Sequence, residues 1–103
     1  MKANIAIPEE PLSEYCRRWK IAELALFGSV LRDDFRPDSD VDVLVRFHPE
    51  ARHTLFDMVR MQKELEQMLG RNVDLVSRRG IENSRNYLRK KAILESAEVV
   101  YAA

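Results

Sequence analysis

The 103-residue chain balances 17 Lys and Arg against 17 Asp and Glu, a formal net charge of +0, with 46% hydrophobic and 33% charged residues. That length suits one domain over residues 1–103 with a modest core, and the even charge excludes the global basic field of a protein built to bind nucleic acid directly. A single cysteine excludes an intrachain disulfide, and with no signal peptide or membrane-length apolar run the expectation is a cytoplasmic protein away from membranes.

Leu12, Tyr15, Cys16 and Trp19 recur at amphipathic helical spacing after Pro8 and Pro11, which predicts a first helix with Cys16 packed on its apolar face. Residues 24–27 read as a buried strand leading into Gly28-Ser29, a short helix over 30–34 and the turn Arg36-Pro37-Asp38-Ser39. Residues 41–47 predict a second strand. Thr54 and Asp57 have the pattern of a helix start, Gly70 is placed to end that helix, and Leu55, Met58, Val59, Leu65, Met68 and Leu69 form its expected apolar face. A third strand covers 73–77, with Asp74 on one face and Val73 and Leu75 on the other. A last helix is expected over 84–96, and Val99-Val100-Tyr101 as a short edge strand. This order predicts an α/β two-layer domain, a small mixed sheet with helices packed on one face.

The most informative stretch is Gly28-Ser29, ten intervening residues, then Asp40-Val41-Asp42 at the head of an apolar strand. Strand alternation sends Asp40 and Asp42 to one side and Val41, Val43, Val45 and Phe47 to the other. Two converging carboxylates repel, and a divalent cation reverses that balance. Oxygen-only ligands favour Mg²⁺, with Mn²⁺ as the alternative, and magnesium is commonly held by one or two carboxylates plus substrate phosphates. Gly28 lets backbone approach a phosphate, and Ser29 adds a hydroxyl.

Blander readings compete. Asp38, Asp40 and Asp42 imitate the start of an EF-hand loop, but Val43 and Pro49 stand where that loop needs glycine and glutamate. A solvated acidic turn explains Asp38 and Asp40 but not Asp42, a carboxylate inside an apolar strand that is costly unless paired or metal-bound. Arg32 either neutralises phosphate charge or forms a surface pair with Asp33 or Asp34. Arg78, Arg79, Arg85, Arg89, Lys90 and Lys91, against the one acid Glu82, read first as a solvated helix face and second as a partner or phosphate contact. No chemistry is assigned to His48 or His53.

Gly28-Ser29, the gap, Asp40-x-Asp42 and Val73-Asp74-Leu75-Val76 resemble the DNA polymerase β-like nucleotidyltransferase superfamily. More narrowly, they look like the minimal nucleotidyltransferase (MNT) antitoxins. The resemblance spans roughly residues 20–103 and implies the polymerase β-like fold, two Mg²⁺ ions, and transfer of AMP from ATP to a hydroxyl. The described acceptor is a tyrosine of a HEPN ribonuclease toxin, so the implied partners are that toxin and ATP, in a hetero-oligomer or a homo-oligomer. Carried over residue by residue, it implies Asp40, Asp42 and Asp74 as catalytic residues and metal ligands, with Gly28, Ser29, Arg32 and Ser39 at the nucleotide. Arg46 departs from the family pattern, which often carries an acid there. An antitoxin acting by occlusion alone and a small-molecule, aminoglycoside-type transferase are the alternatives. The absence of a second domain to enclose a small acceptor favours a macromolecular one.

Overall fold

The computed structural model describes residues 5–33, 35, 36 and 38–102. In chain order they form α1 (Glu9–Arg18), β1 (Ile21–Phe27), a 3-10 turn (Gly28–Leu31), β2 (Val41–Phe47), α2 (Leu55–Leu69), β3 (Val73–Ser77), α3 (Arg78–Glu82), α4 (Tyr87–Ser96) and β4 (Glu98–Ala102). The strands lie in the order β3-β2-β1-β4. β1 runs antiparallel to β2 and β4, and β2 runs parallel to β3, a pairing that needs a long crossover, here α2.

The ends of α2 are set by local chemistry. Thr54 Oγ1 accepts the Asp57 N–H at 3.2 Å while Asp57 Oδ2 accepts the Thr54 N–H at 2.9 Å, so two orphan amides satisfy each other reciprocally. Gly70 closes the helix in the left-handed region (φ 68), donating its N–H to the Glu66 carbonyl at 2.8 Å. Both ends are the expected ones. Its apolar face is shifted: Met58, Met61, Leu65 and Met68 point to the core, whereas Val59 is exposed and so is Leu55 in the first turn. At about 100° per residue, Val59 falls outside the stripe that Met61 and Leu65 centre.

α1 and α2 cover one sheet face and bury Leu12, Cys16, Leu24, Leu26, Val43, Val45, Met61 and Leu65 together. Polar bonds tie the two helices. The Tyr15 hydroxyl donates to the Met61 carbonyl at 3.0 Å, and Glu64 receives both Arg18 (2.5 Å) and the Trp19 indole N–H (2.7 Å).

The expected mixed sheet with packed helices is the observed fold, with one addition. The opposite face is partly covered too, because Ile81 of α3 and Ile93 of α4 pack on Ala25, Phe27 and Leu44. The helix expected over 84–96 is present as α4, starting three residues later at Tyr87, and a separate short helix, α3, precedes it outside the expected range. Ser77 caps α3 through the Gly80 N–H at 3.0 Å, and Asn86 caps α4 through the Arg89 N–H at 3.1 Å; two competing cap residues start two helices. Lys90 Nζ joins them by donating to the Glu82 carbonyl at 2.9 Å. β1 begins three residues before its expected start. The edge strand β4 is present as expected.

Candidate active site

The site is built on β2, the strand between β1 and β3. Asp42 lies opposite Phe27 of β1 on one side and beside Asp74 of β3 on the other. Neighbouring strands are about 4.8 Å apart. Alternation places Asp42 with Leu44, and Asp74 with Val76, on the face that α3 and α4 partly cover. Val41, Val43 and Val73 anchor the same strands from behind. The two carboxylates are thus brought together by strand register.

Asp40 arrives differently. β2 starts at Val41, so Asp40 stands in the connection ahead of the strand and is exposed, and strand alternation does not fix its direction. It reaches Asp42 electrostatically. The Asp42 carboxyl is held above the usual carboxylate range, first by partial burial, then by the negative charges of Asp74 and Asp40, with Arg32 and Arg89 pulling the other way.

Gly28 supplies the floor. Its φ of 77 lies in the left-handed region, and a Cβ there would collide with Asp42 Oδ2 and lie 3.2 Å from Asp42 Cγ. Glycine therefore serves twice, turning the chain out of β1 and leaving the carboxylate room to lie against backbone. The turn it begins is 3-10 from Gly28 to Leu31 and contains Ser29, in place of the helix expected over 30–34, whose last residue is outside the described ones. The Ser29 carbonyl accepts the Arg32 N–H at 2.9 Å, and Arg32 itself is extended and exposed. Ser39 sits apart: its Oγ accepts the Arg36 N–H at 3.1 Å, and it lines a groove with Asp38, Lys63, Glu66 and Arg71.

Arg89 is the residue that sequence reasoning missed. The basic run reads first as a solvated helix face and second as a partner or phosphate contact, and neither reading singles out Arg89, whose charge bears on Asp42. The available signal was its spacing four residues before Ile93, which shares its helix face and packs on Phe27 and Leu44. His53 Nε2 hydrogen-bonds the Trp19 carbonyl at 2.6 Å and its ring leans on Phe47 with centroids 4.7 Å apart.

The donor set fits a hard divalent cation. Asp42 and Asp74 offer only oxygen, they are register neighbours, and the negative charge of Asp74, which after burial raises Asp42, is what a cation would offset. Among the described residues no three His, Cys, Asp or Glu side chains already close into a cage. An open two- or three-carboxylate platform of this kind suits a metal that takes its remaining ligands from water and phosphate.

Gly28 thus lies against Asp42, which neighbours Asp74 on a parallel strand, and residues 9–100 match the family profile described as nucleotidyltransferase domain. The chain belongs to that family. It is similar to the protein adenylyltransferase MntA of Thermococcus cleftensis, 36% identical over 70 residues that cover 68% of this chain and 69% of that one. It is also similar to a solved structure assigned as a minimal nucleotidyltransferase, with 38% identity, a TM-score of 0.66, and 87% and 85% of the two chains covered. Two further structures share the fold at 18% identity. One is a toxin–antitoxin with AMP-PNP (TM-score 0.69, 94% and 75% covered), the other a tri-AMPylated Shewanella oneidensis HEPN toxin in complex with MNT antitoxin (TM-score 0.61, 92% and 70%).

Proposed function

We propose that this chain is a protein adenylyltransferase of the antitoxin type, moving AMP from ATP to a hydroxyl, a tyrosine hydroxyl in this reading, of a HEPN-class toxin and thereby neutralising it. The observation that carries the proposal is Asp42 set beside Asp74 and over the bare Gly28 backbone. The similarity to MntA supports protein as the acceptor class, and the AMP-PNP and AMPylated-toxin complexes of the fold relatives support ATP and a HEPN partner. The domain is read as single over 1–103, acting in the cytoplasm, with an open site whose outer wall the acceptor protein provides.

In this reading Asp40, Asp42 and Asp74 would hold two Mg²⁺, or Mn²⁺, which would supply charge neutralisation at the phosphates and activation of the attacking oxygen. Gly28 backbone and the Ser29 hydroxyl receive the terminal phosphates, with Arg32 countering their charge. The acceptor oxygen attacks the α-phosphorus as Asp74 takes its proton. The new O–P bond forms while the bond from the α-phosphorus to the bridging oxygen breaks, and pyrophosphate leaves in line. Asp42, half-buried and pressed on Gly28, fixes the geometry between nucleotide and acceptor.

The test is incubation of the purified chain with labelled ATP, Mg²⁺ and the product of the gene adjacent to its own. The toxin should gain the mass of AMP and stay inactive after separation. Recovery of full activity at unchanged mass would replace modification with occlusion.

A further inference from the structure

We propose that the N-terminal half of α4 is the docking surface for the acceptor protein, and that it takes an acidic segment with a large apolar side chain at its centre. The inference rests on the adenylyltransferase reading and adds to it the chemistry of what is recognised.

α4 is a poorly anchored helix, with Ile93 as its one buried residue. Tyr87 and Leu88, in its first turn, are 68% and 77% exposed. Scattered exposed apolar residues are ordinary, but two adjacent ones framed by cations beside a reaction centre form a surface with a chemistry of its own. Arg85, Arg89 and Lys91 frame them, all exposed, and the one acid between Arg78 and Lys91 is Glu82, whose carboxylate pairs with Arg78 at 3.6 Å. Among the described residues no acid neutralises Arg85 or Lys91, so the complementary partner is acidic.

Position ties this surface to the chemistry. Ile93 packs on Phe27, the register partner of Asp42, and Arg89 precedes it by one helical turn and exerts its charge on Asp42. Tyr87 and Leu88 stand roughly 120–140° around α4 from Ile93, so they form the outer face of the helix whose inner face meets the site, open to a protein that approaches it. The other exposed apolar group, Leu55, Phe56 and Val59, belongs to α2, whose buried side packs on the sheet face opposite Asp42.

The experiment measures binding and transfer separately, with the adjacent gene's product as probe. Leu88→Asp should weaken complex formation by about tenfold or more and raise the acceptor KM to match, leaving ATP affinity and kcat at saturating acceptor unchanged. Arg85→Glu with Lys91→Glu should do the same and flatten the salt dependence. Unchanged unfolding temperature shows that the fold is intact. A wild-type KM in both variants overturns the surface while leaving the transfer reading standing. A complex lost in Leu88→Asp but with no AMP transfer by the wild type supports the surface and overturns the transfer reading. Self-association of the wild type that Leu88→Asp abolishes, with no effect on the acceptor, reassigns the surface to a second copy of this chain and overturns the proposal.

Discussion

Asp42 occupies the space that any side chain on residue 28 would need, with its Oδ2 pressed onto the Gly28 backbone. Two constraints coincide at that glycine, a left-handed φ of 77 and a carboxylate against its α-carbon, so one substitution violates both. Gly28→Ala is expected to cost about 1–3 kcal/mol and, by displacing Asp42, to reduce AMP transfer on the order of a hundredfold. Urea unfolding and a labelled-ATP assay measure the two effects; wild-type values in both would remove Gly28 from the site.

Asp42 also fixes the sign of a pH dependence. Because burial and the neighbouring acids raise its folded pKa above the ordinary carboxylate value, the folded chain holds more protons than the unfolded one between those two values. Stability therefore falls as pH rises through that window, and the penalty is present in full above it. Asp42→Asn should be more stable than wild type near neutral pH, match it below the ordinary carboxylate range, and show no transfer. Unfolding curves across that range check the sign, and undiminished labelling would sink the catalytic assignment.

Asp74→Asn separates chemistry from binding. Asp40 and Asp42 remain to hold nucleotide, while the acceptor hydroxyl loses its base. The variant should bind ATP and the toxin, transfer nothing, and fail to protect cells. Protection equal to wild type would mean that occlusion suffices.

Chelation should abolish nucleotide binding, because bare carboxylates repel a triphosphate. ATP titrated calorimetrically with and without EDTA gives the result directly. Equal affinity in both would count against the metal platform.

Cys16 is buried, and burial pushes its thiol pKa up to about 12. Alkylation near neutral pH should be slow in the folded chain and follow the unfolding equilibrium, since the reactive thiolate is scarce until the helix opens. Mass spectrometry of iodoacetamide adducts over a urea series reads this; rapid labelling without urea would contradict the packing.

β2, β3 and both ends of α2 were legible because strong local signals agree there: apolar alternation, a reciprocal Thr54–Asp57 cap and a terminal glycine. The pairing of Asp42 with Asp74 follows once both strands are placed in register. Where local signals conflict, the sequence misleads. Gly28 at positive φ tightens the chain two residues before the helix that Val30 and Leu31 suggest. In α4 the apolar residues fall around the helix and set no phase, so which cation faces the sheet waits on the Asn86 cap and on Ile93. Arg89 was hidden for that reason, and Asp40 was assigned a strand direction one residue before its strand begins.

Trp19, the chain's one tryptophan, is held in the α1–α2 seam by Glu64 and stands edge-on to His53 with ring centroids 5.8 Å apart. That seam covers the sheet face opposite Asp42. The protein thus contains an intrinsic fluorophore that reports melting of the seam and is shielded by a whole sheet from whatever binds at the carboxylates. A nucleotide-dependent shift of its emission midpoint would register energetic linkage alone, free of direct quenching by the bound base.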